Sequence, residues 1–196
     1  MKIQLVDINP AVTKAWEHAF KDVPEVSVHC CDLFELPTDC VVSAANSFGF
    51  MDGGVDAVIS KRLPKIQEYV QRGIKETKPT GELLVGEAMM LVTGDEDIRY
   101  CLSAPTMRRP VIISGTVNVY LAAKAIFAAL QAGSMMGGIG TATIPGLGTS
   151  TGRVHPDVSA TQMRLAYNDI MNRKEFPKSW QQVRMEEDQM HKKYVH

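Results

Sequence analysis

The strongest constraint on the fold lies between residues 40 and 59. An apolar run, Cys40-Val41-Val42, leads into Ala44-Ala45-Asn46-Ser47-Phe48-Gly49-Phe50-Met51-Asp52-Gly53-Gly54 and then into Val55-Asp56-Ala57-Val58-Ile59. The pattern predicts a buried strand, a loop and the opening of a helix. Such a junction gathers unpaired backbone N–H groups and the positive end of a helix dipole at one point, which suits a phosphate or pyrophosphate. Gly53 and Gly54 let the backbone approach a ligand with no Cβ in the way. Asn46 and Asp56 add polar side chains on either side of the loop. A second glycine-rich turn, Pro145-Gly146-Leu147-Gly148-Thr149-Ser150-Thr151-Gly152, follows another apolar segment. Two phosphate-friendly loops from one sheet imply a cleft for a dinucleotide-like ligand.

The rest of the chain alternates strand and helix patterns. Residues 2–8 predict a first strand, and Asn9-Pro10 starts a helix carrying Ala15, Trp16, Ala19 and Phe20. Pro24 precedes a second strand over residues 26–31, with Asp32 at its end. Beyond the carboxyl end of a strand, that acid is placed to accept hydrogen bonds from a ligand such as an adenine amino group, or else to cap a turn before Pro37. The third strand spans residues 40–44. Val55, Val58, Ile59, Leu63, Ile66, Tyr69, Val70 and Ile74 recur at helical spacing, with Pro64 a kink or break. Two strands over residues 86–92 and 98–104 join at Gly94-Asp95. Arg108 and Arg109 lie just past a strand end, where they either meet an anion or stay in water. A helix over residues 119–132, a strand over 139–145 and a helix opened by His155-Pro156-Asp157 follow.

This alternation predicts a three-layer α/β/α domain over residues 1–172, built on a mixed, mostly parallel sheet of about six strands. Residues 173–196 are charged and predict an appended helix or partly disordered extension, docking through Trp180 and Val183.

At 196 residues the chain is long enough to bury a core without metal or disulfides. Its 21 basic and 22 acidic residues nearly cancel, and no basic stripe is present, so binding to nucleic acid by charge alone is disfavoured. No apolar run approaches the roughly 20 residues that cross a bilayer, and Met1 to Asp7 lacks a signal-peptide layout. A cytoplasmic location is the expectation. Cys30, Cys31, Cys40 and Cys101 show no disulfide framework and read as buried thiols. Adjacent cysteines on a strand point to opposite faces, so His29-Cys30-Cys31 with Cys40 makes a poor zinc set.

The two loops together resemble the macro domains that bind ADP-ribose. The resemblance spans most of residues 26–172. It is carried by Ser43-Ala44-Ala45-Asn46 with Asp52-Gly53-Gly54-Val55-Asp56-Ala57-Val58-Ile59, by Ser150-Thr151-Gly152 with Pro156, and by Cys31-Asp32-Leu33. It implies that Asp32 accepts the adenine amino group and that the Leu33 backbone meets the same ring. It further implies that Asn46 binds the distal ribose, that Gly53, Gly54 and Val55 approach that ribose and the diphosphate, and that the amides of Thr149, Ser150, Thr151, Gly152 and Arg153, after Gly148, cradle the diphosphate. Ala44 belongs to the same binding set. In the hydrolase branch of the family the acid corresponding to Asp56 orients or activates a water for attack at the anomeric carbon, chemistry a carboxylate can perform.

Three departures from the family pattern stand out. Met51 and Asp52 replace glycines, Ser43 replaces an asparagine, and Arg153-Val154-His155 is one residue shorter than the usual turn and lacks its aromatic ring. His155 either supplies acid–base chemistry there, making Asn46, Asp56 and His155 the catalytic candidates, or hydrogen-bonds at the start of its helix. Phe48 or Phe50 either covers the ribose or anchors the core. The leading expectation is hydrolysis of an ADP-ribose derivative: a mono-ADP-ribosylated side chain, an O-acyl-ADP-ribose, or ADP-ribose 1″-phosphate as in Appr-1-p processing. ADP-ribosylated proteins would then be partners. The alternative is a reader that binds ADP-ribose-like nucleotides without turnover. No metal or redox cofactor is implied, since water, a carboxylate and fixed amides suffice.

Overall fold

The computed structural model describes residues 1–173 and 175–192; of the C-terminal extension, Lys174 and residues 193–196 lie outside the described residues. The elements are β1 (Lys2–Val6), α1 (Pro10–Ala19), β2 (Val26–His29), β3 (Cys40–Ser43), α2 (Gly54–Arg62), α3 (Ile66–Thr77), β4 (Met89–Val92), β5 (Tyr100–Ser103), α4 (Asn118–Met135), β6 (Thr141–Ile144), α5 (Pro156–Met171) and α6 (Trp180–Met190). Local chemistry sets several boundaries. The Asn9 side chain accepts from the Ala11 amide and Pro10 occupies the first helical turn, which starts α1. Pro64 separates α2 from α3, so the apolar periodicity between residues 55 and 74 is broken rather than kinked. β4 is shorter than its apolar run because Glu87 N donates to Leu84 O in a turn and Gly86 takes φ +95°, a left-handed value that a strand cannot use.

The sheet order is β2-β1-β6-β3-β5-β4. All neighbours are parallel except β4, which runs antiparallel to β5 with Met89 opposite Ser103. β3 sits between β6 and β5 and is buried along its whole length, as the unbroken apolar run requires. One face of the sheet packs on α1, α4 and α5 through Trp16, Phe127, Leu130 and Tyr167. The Phe127 and Tyr167 rings meet edge to face at 5.4 Å. The other face packs on α2 and α3 through Ile59, Ile66, Val70 and Ile74. The fold is therefore the three-layer α/β/α arrangement with a mixed, mostly parallel sheet.

Two expectations are corrected. Cys30 is exposed and Cys31 only half-buried, because β2 ends at His29 and both thiols fall in the loop beyond it; Cys40 and Cys101 alone are buried. α6 docks through its other end: Met190 is buried and its carbonyl accepts from the Gln162 amide, whereas Trp180 is 78% exposed and Val183 is half-buried.

Candidate functional site

The parallel strands present their carboxyl ends along one edge, and β6 lies between β1 and β3. Chain order and strand order diverge there, so the loops after β1, β3 and β6 splay apart and leave a crevice. The crevice is a cleft of about 600 Å³.

Loop one forms the wall after β3. Ser47 N donates to Arg108 O and Thr106 N to Ala45 O, and Asn46 bridges Met107, so the loop extends the β3–β5 pairing past the strand ends. The Asn46 side chain staples the loop to itself: Nδ2 donates to Phe50 O at 2.7 Å, and Oδ1 accepts from the amides of Phe48 and Phe50. Ala44, Asn46, Gly53, Gly54 and Val55 line the cleft. Gly53 caps α2 without any side-chain hydrogen bond, so no cap side chain occupies the first-turn amides of that helix. A Cβ at Gly53 would meet nothing within 4 Å, and its φ of −146° is open to any residue. No packing within the described residues requires glycine at this point.

Asp56, in the first turn of α2, also lines the cleft, yet it is only 6% exposed. Its Oδ1 accepts a 2.6 Å hydrogen bond from the Ser43 hydroxyl at the end of β3. Burial raises the Asp56 carboxyl to about 6; the Ser43 bond works against that rise and the negative charge of Asp52 adds to it. A carboxyl poised there exchanges a proton near neutral pH, as a general base must. Ser43, which replaces an amide-bearing residue of the family pattern, is thus the direct partner of this acid.

Loop two forms the facing wall. Gly148, Thr149, Ser150, Thr151 and Gly152 line the cleft, and the amides of Thr149 to Gly152 donate no hydrogen bond to the described residues. The loop is nonetheless tightly built. Val154 N donates back to Gly148 O, and Ile113 N donates to Gly152 O. A Cβ on Gly152 would lie 2.6 Å from Gly148 O, a backbone atom that cannot give way, so packing demands glycine there. Two runs of unpaired amides, one from each loop, thus meet at one cleft.

Asp32 and Leu33 line the far end. The two readings of Asp32 coexist: Oδ1 accepts from Phe34 N at 3.3 Å in a turn, and the residue still borders the cleft. The structure does not bring His155 or Arg153 among the lining residues. His155 caps α5, with Nδ1 accepting from Asp157 N, and is exposed. Arg153 takes φ +51° and is exposed. His155 is therefore not placed for chemistry in the cleft, and the Arg153 amide expected to join the diphosphate cradle donates to Ser150 O instead. Arg108 is held by two hydrogen bonds to Glu82 and lies over the Phe48 ring at 5.0 Å, so Phe48 supports the loop while Phe50, 55% exposed, borders the cleft.

Sequence reasoning missed the floor. Asp7, Ile8 and Asn9 after β1, and Thr106, Met107 and Pro110 after β5, also line the cleft. The Asn9-Pro10 helix start was the available signal, since it marks a strand–loop–helix junction of the same kind as loop one. Among the described residues no group of three or more His, Cys, Asp or Glu side chains is arranged to hold a metal ion.

Residues 42–163, more than half of the chain, match the model of the family described as Macro domain. The chain belongs to the macro domain family. A protein of Aquifex aeolicus (strain VF5) is 36% identical over 129 residues, which cover 66% of this macro domain chain and 72% of the relative. The Oceanobacillus iheyensis macrodomain solved with ADP is similar at 15% identity and a TM-score of 0.59, covering 82% of this chain and 86% of its own. The Thermosipho africanus DarTG structure, in complex with ADP-ribose, is similar at 18% identity and a TM-score of 0.56; the likeness covers 74% of this chain but 38% of that one. At these identities the solved structures speak to the fold.

Proposed function

We propose that this macro domain binds ADP-ribose in the cleft and hydrolyses a derivative substituted at the anomeric carbon of the distal ribose. The observation that carries the reading is the pair of unpaired amide runs, at the N-terminus of α2 and over Thr149 to Gly152, flanking one cleft that ends in a buried carboxyl. Amides of that kind solvate a diphosphate without a cationic side chain. The ligands of the two solved relatives, ADP and ADP-ribose, agree with it. Adenine then lies toward Asp32 and Leu33, and the distal ribose toward Asn46 and Asp56.

In the proposed reaction the Asp56 carboxylate takes a proton from water as its oxygen bonds to the anomeric carbon. The bond from that carbon to the leaving oxygen breaks, its electron pair leaves with the oxygen, and the proton is returned to it. The Ser43 hydroxyl keeps the carboxylate in place throughout, and charge on the ribose is met by the carboxylate. Asp56→Asn tests this. Turnover of a mono-ADP-ribosyl-protein, linked through the anomeric carbon, should fall at least a hundredfold with ADP-ribose affinity largely kept, in line with the usual weight of a general base. Unchanged turnover would remove Asp56 from the mechanism. A reading as a non-catalytic reader of ADP-ribosylated proteins is favoured by one observation, that His155 lies outside the cleft and leaves no second acid–base side chain beside Asp56 among the described residues except Asp52.

A further inference from the structure

Resting on the reading of this cleft as an ADP-ribose site, we infer that the space beyond the distal ribose takes a substituent without negative charge, and that Asp52 is the residue that enforces this selection. The cleft is bordered by the carboxyls Asp7, Asp32, Asp52 and Asp56 and, among the described residues, by no lysine or arginine. Two of those acids are occupied with turns at the β1 and β2 side, Asp7 accepting from Asn9 N and Asp32 from Phe34 N. The other two stand together at the loop-one end, close enough that the charge of Asp52 acts on Asp56. Asp52 is exposed and lines the cleft, as do the exposed side chains of Phe50 and Val58. Of the arginines next to lining residues in sequence, Arg108 is held by Glu82, and neither Arg109 nor Arg153 lines the cleft.

A diphosphate in the middle of the cleft is served by uncharged amides from two loops. A further phosphoryl group on the anomeric carbon would carry nearly two negative charges at neutral pH and would lie beside Asp52 and Asp56 with no cation to offset them. Phe50 and Val58 instead offer an apolar surface to an uncharged group. Of the three substrate classes that the family resemblance implies, the terminal phosphate is the one this end of the cleft rejects. Glycine at position 52 would lack the charge, so the selection is a property of this chain's own loop.

The experiment is calorimetric titration of the full chain, and of Asp52→Asn and Asp52→Lys, with ADP-ribose and with ADP-ribose 1″-phosphate at a fixed, mildly alkaline pH and fixed salt. The wild-type protein should prefer ADP-ribose by roughly tenfold or more, a charge-pair effect of ordinary size. The ratio should shrink several-fold in Asp52→Asn and vanish or invert in Asp52→Lys. Residue 52 is exposed on a loop, so these variants keep the fold. Equal wild-type affinity for the two nucleotides, or a ratio indifferent to residue 52, would overturn the inference and leave the ADP-ribose reading standing. Failure of the wild type to bind either nucleotide would overturn both.

Discussion

Replacing Asp56 by asparagine should stabilise the unliganded protein at neutral pH while removing the general base of the proposed reaction. The carboxyl is held at about 6 against an ordinary 3.8, with burial the main cause. At about 1.4 kcal/mol per tenfold in proton affinity, that difference corresponds to about 3 kcal/mol. A group whose pKa is higher folded than unfolded favours folding in its protonated form. Its contribution is complete below about pH 4 and is lost as pH rises through about 6. The asparagine side chain would carry no such charge, and its Oδ1 keeps the 2.6 Å acceptor position for Ser43. Housing the extra amide hydrogens offsets part of the gain, about 1–2 kcal/mol. The assay is urea unfolding of both proteins from about pH 4 to about pH 8. The stability difference, variant minus wild type, should rise by about 3 kcal/mol across that range and end positive. A flat difference, or one that falls with pH, would refute the claim that a buried carboxylate is maintained there at a cost in stability.

Gly53→Ala should cost the fold at most about 1 kcal/mol, the penalty of alanine at an N-cap, yet weaken ADP-ribose binding by roughly tenfold or more, because only a ligand competes for the space its Cβ takes; unfolding curves and titrations run side by side check it. Gly152→Ala should destabilise by roughly 1–3 kcal/mol, since its Cβ would strike Gly148 O, and should weaken nucleotide binding with it. His155→Ala should lower stability by about 1 kcal/mol through loss of the α5 cap and leave ADP-ribose affinity unchanged, which separates a capping role from a catalytic one. Asp95, held near 2 by its hydrogen bonds from Arg62 and then from the Ile98 amide, should contribute stability above about pH 4 that is lost as pH falls toward 2; in Asp95→Asn that acid-side loss should be smaller in acid titrations followed by circular dichroism.

Much of the cleft was legible because its chemistry is local. A glycine-rich loop between an apolar strand and a helix leaves amides unpaired wherever it occurs, so residues 44–56 and 148–152 announced themselves without tertiary information. Asp56 was legible as an acid in a helix's first turn, but not its burial or its bond to Ser43, which depend on how α2 lies across the end of β3. The insertion of β6 between β1 and β3 is likewise a long-range pairing, and it is what carries Asp7, Ile8 and Asn9 into the cleft wall. His155 illustrates the opposite failure. Its place beside the second glycine loop suggested chemistry, while its ring nitrogen is engaged by the Asp157 amide at the α5 N-terminus. Cys30 escaped burial for a similar reason: the edge strand β2 stops one residue before it, and alternation along a strand says nothing about where the strand ends.

Calorimetric titration of the wild-type chain with ADP-ribose and AMP in parallel tests the central claim most directly. If the two amide runs and the Asn46–Asp56 end of the cleft are read together, ADP-ribose binds with one-to-one stoichiometry and much more tightly than AMP. Equal affinities for the two nucleotides, or no heat with either, would contradict the assignment of the cleft.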